Sequence, residues 1–253
     1  MSAIVEIRNV KIGEGTPKIC VPLTASTRES ICTSAEALKG HPFDMVEWRA
    51  DFFEELLDPQ AVNETLQELR EILGDIPLLF TVRTKEEGGN VRLDAETYLG
   101  VNIRAMRTGL PDLVDAEIFR GDDITYMMVE AAHGQGMKVI ASNHDFSRTP
   151  KKEELMRRLC KMQEMEADIA KLAVMPRTER DVLTLLDATL AMKELHQDTP
   201  IVTMAMGELG VISRLAGQLF GSAITFGSVG EMSAPGQIPV EKLYEFLKDL
   251  KLG

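Results

Sequence analysis

The chain has 253 residues, 44% hydrophobic and 27% charged, with 28 basic residues against 40 acidic ones and a formal net charge of -12. It is long enough to bury a full core, and a field of that sign repels nucleic acid and anionic membrane surfaces alike. Any anionic ligand therefore has to be captured by arginines placed locally. No apolar run is long enough to span a bilayer, and the N-terminus MSAIVEIRNV has no basic stretch followed by an apolar one. Neither a membrane span nor a signal peptide is expected, and a cytoplasmic location is.

The first fifteen residues alternate as IVEIRNVKIGEG and predict a β-hairpin. Beyond them, short β-branched or apolar runs recur at KICVPL (18–23), DMVEWRA (44–50), PLLFTVR (77–83), PDLVDAEI (111–118), MKVIASNH (137–144), DIAKLAV (168–174), PIVTMAM (200–206) and SAITFG (222–227). Helix-period segments separate them, the penultimate one being GVISRLAGQLF. Asp58-Pro59 and Thr149-Pro150 fit helix starts with proline at the first helical position, and Gly109 and Gly136 fit helix ends. A βα repeat of this regularity implies parallel strands with right-handed crossovers. Eight such strands predict a single-domain (β/α)8 TIM barrel over residues 1–253, with the hairpin closing the barrel floor. An open doubly wound sheet is the rival, and no GxGxxG turn supports it.

The three cysteines, Cys20, Cys32 and Cys160, are odd in number and lack CxxC or Cys/His spacing, so reduced, buried thiols and no metal site are expected. Working groups of a barrel sit at the C-terminal ends of its strands, where inward positions follow a period of two. Glu47 and Arg49 share a face of the second strand, Arg83 ends the third, Asp115 and Glu117 share a face of the fourth and His144 ends the fifth. Lys171 shares a face with Ile169 and Ala173 on the sixth. A lysine inside a strand loses hydration, which favours the neutral amine that attacks a ketone or aldehyde. A purely structural ion pair with Asp115 or Glu117 is an equally good reading of that strand alone. His144 suits proton transfer near neutral pH, with Glu87 in the loop after the third strand to orient it. Arg214 is placed at the start of a short helix, where its guanidinium and backbone N–H groups together suit a carboxylate or a phosphate. Ser233 and Gln237 fall in a turn-rich segment that follows the eighth strand and suits a lid.

VEWRAD (46–51), FTVRTKEEGG (80–89), DLVDAEIF (112–119), SNHDF (142–146), DIAKLAVMP (168–176), GVISRLAG (210–217), SAITFG (222–227) and SAPGQI (233–238) together resemble the type I 3-dehydroquinate dehydratases of the shikimate pathway, in order and spacing over almost the whole chain. The resemblance implies that Lys171 is the Schiff-base lysine, His144 the general acid/base and Glu87 its supporting acid. It further implies that Glu47, Arg49 and Arg83 hold the ring hydroxyls of 3-dehydroquinate, that Arg214 holds its carboxylate, and that Ser233 and Gln237 belong to a closing lid. No metal or organic cofactor is implied, and a homodimer is. Asp115 and Glu117 are expected to compensate Lys171 or the arginines, and Met204 and Met206 to line the apolar side of the pocket. Two positions depart from the family pattern: Pro22 in CVPLT, where some members have serine, and Ala205 in TMAM, where a lost hydroxyl near the mouth is expected to alter pocket hydration. Class I aldolases, a metal-dependent lyase and a non-catalytic hydroxy-acid binder are the alternatives. An aldolase's sugar-phosphate site is expected after the seventh and eighth strands, where VISRLAG and SAPGQ suit a carboxylate better than a phosphate, which disfavours the first.

Overall fold

A computed structural model describes residues 3–230 and 236–250. Strands β1 (Val5–Ile7) and β2 (Val10–Ile12) form an antiparallel hairpin. The chain then alternates β3 (Lys18–Leu23), α1 (Arg28–Ala37), β4 (Met45–Arg49), α2 (Pro59–Leu73), β5 (Leu78–Thr81), α3 (Ala95–Arg107), β6 (Leu113–Glu117) and α4 (Asp122–Gly134). It continues through β7 (Lys138–Asp145), α5 (Lys152–Glu164), β8 (Ile169–Val174), α6 (Glu179–Leu195) and β9 (Ile201–Ala205). Two short helices, α7 (Val211–Leu215) and α8 (Gly217–Phe220), precede β10 (Ile224–Ser228), a two-residue β11 (Ile238–Pro239) and α9 (Val240–Asp249).

Strands β3 to β9 pair in parallel in chain order, and β10 pairs with β3. The cylinder closes between β9 and β10 through a single bridge, Ile201 to Ser222, where the Ala223 N–H donates to the Ile201 carbonyl at 2.8 Å. The Ser222 hydroxyl completes this seam by accepting the Thr203 N–H at 3.0 Å. The (β/α)8 barrel is therefore as the sequence predicts. Pro22 is tolerated because the β10 ladder ends at Cys20, before the position where proline lacks a donor.

Alternation of side chains across the strands sorts the barrel interior into layers. Met45, Leu113, Ile169 and Ile224 come from β4, β6, β8 and β10, while Cys20, Leu79, Ile140 and Val202 come from the intervening strands. Both layers are buried in one cluster with Val5, Ile7, Val10 and Ile12, so the hairpin does close the floor. The alternate strand faces, among them Trp48, Phe80, Val114, Leu172 and Ala205, pack outward against the helices.

An aspartate repeats directly before β4, β6 and β8. Asp44, Asp112 and Asp168 each use Oδ2 to accept a backbone N–H near the start of the preceding strand, from Ile19 at 2.7 Å, Leu78 at 2.8 Å and Val139 at 2.9 Å. Three residues beyond each of them lies a charged inward position: Glu47, Asp115 and Lys171.

Several local expectations are corrected. Asp58 caps α2 with Pro59 at its first position, accepting the Gln60 N–H at 2.8 Å, but Thr149-Pro150 does not start α5, which begins at Lys152 after Lys151. Gly109 and Gly136 do follow their helices, with φ of 69° and 73° that suit glycine. GVISRLAGQLF is two helices rather than one, broken at Ala216. A Cβ on Gly217 would meet the Ser222 carbonyl at 3.0 Å and Pro17 at 3.1 Å, so the chain turns there to lie close against the seam. All three cysteines are free, but only Cys20 is buried; Cys32 and Cys160 are half-buried.

Candidate active site

At the C-terminal end of the barrel the interior changes from apolar to ionic. The layer above the core takes Glu47, Asp115, Lys171 and Phe226 from the alternate strands β4, β6, β8 and β10. Lys171 Nζ lies 3.5 Å from Glu47 Oε1, 3.9 Å from Asp115 Oδ2 and 4.3 Å from the centre of the Phe226 ring. A buried ammonium is tolerated here because two carboxylates and an aromatic face meet it. The next layer supplies hydroxyls that satisfy those carboxylates: Thr81 Oγ1 donates to Glu47 Oε1 at 2.9 Å, and Ser142 Oγ to Asp115 Oδ1 at 2.6 Å.

Arg83, just beyond β5, knots the network together. Its Nη2 donates to Asp115 Oδ2 at 2.8 Å, and its Nη1 to Glu117 Oε1 at 3.0 Å and Ser142 Oγ at 2.9 Å. Burial alone would lower its pKa, but Asp115, Glu117 and Glu87 outweigh burial and hold the guanidinium well above its ordinary value. Glu117 also accepts the Thr84 N–H at 2.8 Å and the Thr84 hydroxyl at 2.7 Å, which fixes the turn Lys85–Glu87. Tyr98 braces this edge of β6 from the helix side, accepting the Glu117 N–H at 3.1 Å and donating to the Asp115 carbonyl at 3.3 Å. Gly89 permits the loop to fold back, since a Cβ there would lie 1.9 Å from the Arg83 carbonyl oxygen.

The turn delivers Glu87 to His144. Glu87 Oε2 lies 3.0 Å from His144 Nδ1 and accepts the His144 backbone N–H at 2.9 Å, while Oε1 accepts Asn143 Nδ2 at 3.0 Å. Burial pushes Glu87 up to about 8; Arg83 and the Asn143 hydrogen bond pull it down, and Glu117 and Asp115 raise it further. Burial holds the His144 imidazole well below its usual value, helped by the positive charges of Arg83, Lys171 and Arg49. With Nδ1 turned to Glu87, Nε2 is the nitrogen left for a ligand.

Arg49 is clamped by Asp51 through two parallel bonds, Nε to Oδ1 at 2.7 Å and Nη2 to Oδ2 at 2.8 Å. The same carboxylate accepts the backbone N–H groups of Arg83 at 3.3 Å and Asn90 at 3.0 Å. Arg214 is 2% exposed, and burial pulls it down to about 10. It lies in the last turn of the five-residue α7, not at a helix start, so the expected combination of its guanidinium with helix N–H groups is corrected. What places Arg214 is Ser213, whose hydroxyl donates to the Gly210 carbonyl at 2.6 Å and accepts the Ala205 N–H at 2.9 Å.

Glu47, Arg49, Arg83, Glu87, His144, Lys171, Arg214 and Gln237 all line one cavity of about 120 Å³, together with Met204, Met206, Phe146 and Phe226. Ser233 lies outside the described residues. A larger hollow of about 430 Å³ opens near the hairpin, between residues 13–17 and the start of β9, and contains none of these side chains. Ala205 does not reach the mouth. It packs outward, where a Cβ on Gly210 would lie 2.8 Å from its own, so its missing hydroxyl is lost from the helix side of the sheet and not from the pocket. Asp51, Thr81, Thr84, Ser142 and Phe226 were not foreseen as site residues. Ser142 and Phe226 follow from the same alternation that exposes Lys171, and Asp51 stands two residues beyond Arg49. Among the described residues no cluster of His, Cys, Asp and Glu is arranged to hold a metal ion.

These features define a (β/α)8-barrel enzyme whose pocket brings a buried lysine and a carboxylate-bound histidine together at the strand ends. The chain belongs to the type I 3-dehydroquinase family, whose model matches residues 19–252. It is 50% identical over 250 residues to the 3-dehydroquinate dehydratase of Clostridium botulinum, covering 99% of this chain and 98% of that relative. The crystal structure of the type I 3-dehydroquinate dehydratase from Clostridium difficile with covalently modified comenic acid superposes with a TM-score of 0.96 at 49% identity, covering 99% of this chain and 98% of that one. The structure of the 3-dehydroquinate dehydratase from Enterococcus faecalis superposes with a TM-score of 0.92 at 43% identity, covering 98% of this chain and 100% of that one.

Proposed function

We propose that the chain dehydrates 3-dehydroquinate to 3-dehydroshikimate, a step of the shikimate pathway, by syn elimination through a Schiff base on Lys171. The observation that carries this reading is the placement of Lys171 between Glu47 and Asp115 in the same cavity as a histidine whose Nδ1 is held by Glu87. Membership of the family and the relatives' names support the substrate.

Removing a proton beside a ketone is slow because the developing carbanion has nowhere to place its charge. An iminium formed by Lys171 at the ketone carbon supplies that electron sink. Nε2 of His144 takes the proton from the adjacent ring carbon, and the imidazolium returns it to the departing hydroxyl on the same face. Arg214 takes the substrate carboxylate, while Arg49, pre-oriented by Asp51, and Glu47 hold the ring hydroxyls. Arg83 lines the same cavity and joins them in holding the hydroxyls, three of its five N–H donors being already committed to Asp115, Glu117 and Ser142. Gln237 lines the same cavity, and that it and Ser233 belong to a lid closing over the substrate rests on the family resemblance. The arginines also explain how a chain of net charge -12 binds an anionic acid.

The test is intact-protein mass spectrometry after incubation with 3-dehydroquinate and borohydride, with Lys171→Ala alongside. A reduced adduct on Lys171 that is missing in the variant supports the reading; a wild type that binds the ligand without forming an adduct overturns it. A homodimer and a cytoplasmic location remain part of the reading on family resemblance, and sedimentation tests the former. Among the described residues no helix is long and apolar enough to cross a membrane.

A further inference from the structure

Before Lys171 can attack a ketone, its ammonium has to lose a proton, and before water can leave the resulting carbinolamine a proton has to reach the oxygen. His144 is not the group nearest to these events. Ser142 is in register with Lys171, and His144 pairs one layer higher, with Ala173.

Two carboxylates approach Nζ, and their surroundings differ. Asp115 accepts Ser142 Oγ at 2.6 Å on Oδ1 and Arg83 Nη2 at 2.8 Å on Oδ2, so its charge is committed to a guanidinium. Glu47 is closer, at 3.5 Å against 3.9 Å, and its Oε1 accepts only the neutral Thr81 hydroxyl besides facing Lys171. Among the described residues its Oε2 accepts no hydrogen bond, and the side chain lines the cavity. Glu47 is thus the carboxylate that stands nearer to the nitrogen and keeps an oxygen open on the cavity side.

Resting on the imine reading above, we propose that Glu47 is the proton acceptor and donor of imine formation, which leaves His144 to work at the ring carbon. Glu47 takes one proton from the Lys171 ammonium. The freed lone pair forms the C–N bond as the carbonyl π pair moves onto oxygen, and a second proton passes from nitrogen to that oxygen to give a neutral carbinolamine. Protonated Glu47 then returns its proton to the hydroxyl, the C–O bond breaks, water leaves, and the nitrogen lone pair completes the iminium. Glu47 ends ionised, and hydrolysis of the product imine runs through the same steps in reverse.

The experiment mixes wild type, Glu47→Gln and Glu47→Asp with saturating 3-dehydroquinate, stops each with borohydride at successive times, and follows the reduced adduct by mass. Glu47→Gln keeps the shape but cannot exchange the proton, so the rate of adduct appearance at saturation falls by roughly 10²-fold. Glu47→Asp, which keeps a carboxylate, recovers part of that rate. If Glu47→Gln forms adduct at the wild-type saturating rate and only needs more substrate, Glu47 is merely a hydroxyl holder and the proposal is overturned. Should Glu47→Gln not fold, Glu47→Asp carries the test: a slowed saturating rate supports the role, and an unchanged one ends it. A wild type that forms no adduct sinks the imine reading itself, whereas a slow variant beside a normal wild type leaves that reading intact.

Discussion

Glu87 Oε2 receives His144 twice, from the backbone N–H at 2.9 Å and at the ring nitrogen Nδ1 at 3.0 Å, so one carboxylate oxygen fixes both the strand and the imidazole it carries. The pair is buried, and burial opposes charge on both partners, raising Glu87 to about 8 and lowering His144. Below that value the pair holds an extra proton in the contact at Nδ1. Above it Glu87 is ionised, Nδ1 donates to it, and Nε2 presents a lone pair.

It follows that kcat/KM rises with pH through about 8, as the pair loses that proton. In Glu87→Gln the side chain no longer titrates, and the rising limb moves down to the depressed imidazole while kcat falls by about 10²-fold. The pH profiles of the two proteins check this, and coincident profiles would sink the assignment of the limb to Glu87.

Arg83 is surrounded by Asp115, Glu117 and Glu87, all buried. Replacing it with methionine strands these carboxylates, and the expected loss of unfolding free energy is about 3–5 kcal/mol. Denaturant unfolding measures it. A loss below about 1 kcal/mol would mean that the carboxylates take up protons or water without cost.

Ser213 holds α7 to the end of β9 through Gly210 and Ala205, and Arg214 is the next residue. Ser213→Ala should therefore raise KM several-fold with kcat nearly kept, the pattern of weakened binding that is uniform along the reaction. Steady-state kinetics decide; a fall in kcat at unchanged KM contradicts a carboxylate-holding role for Arg214.

Ala205 packs against the helices and not toward the cavity. Restoring a hydroxyl with Ala205→Ser should cost about 1 kcal/mol of stability through crowding near Gly210 and leave turnover unchanged. An altered kcat would show that the outer face of β9 communicates with the pocket.

The barrel was legible in the sequence because each strand is short, β-rich and bounded by Asp, Pro or Gly, and because charges at every second residue have no place on a wholly buried strand unless they face a site. Lys171, Asp115 and Glu47 could be read that way one strand at a time. A pairing of Lys171 with Asp115 is among the expectations, but that Glu47 joins them is not, since it depends on all three occupying the same level of the cylinder. Asp51 stands only two residues from Arg49, but its role in tying the neighbouring loop is not legible locally, because its further partners, the Arg83 and Asn90 N–H groups, come from that loop. Arg214 was assigned to a helix start because nothing local in GVISRLAGQLF shows that Gly217 must turn to pack against the seam. The outward orientation of Ala205 is legible in the sequence: Met204 and Met206 are expected to line the pocket, and alternation sends the residue between them the other way.

Among the described residues the seam between β9 and β10 is held by one backbone bridge, Ile201 to Ser222, and by the Ser222 hydroxyl, in contrast to the continuous ladders that join the other neighbouring pairs. Amide hydrogens at Thr203, in β9, and at Ala223, directly before β10, should therefore exchange with deuterium ahead of those in the ladders, opening in a local motion that leaves the β4–β8 wall and its ionic layer intact. The same weak joint marks where the chain could be cut and its ends rejoined elsewhere: a circular permutant opened at Gly221 would interrupt no ladder, and its ability to fold would measure how little the closure contributes.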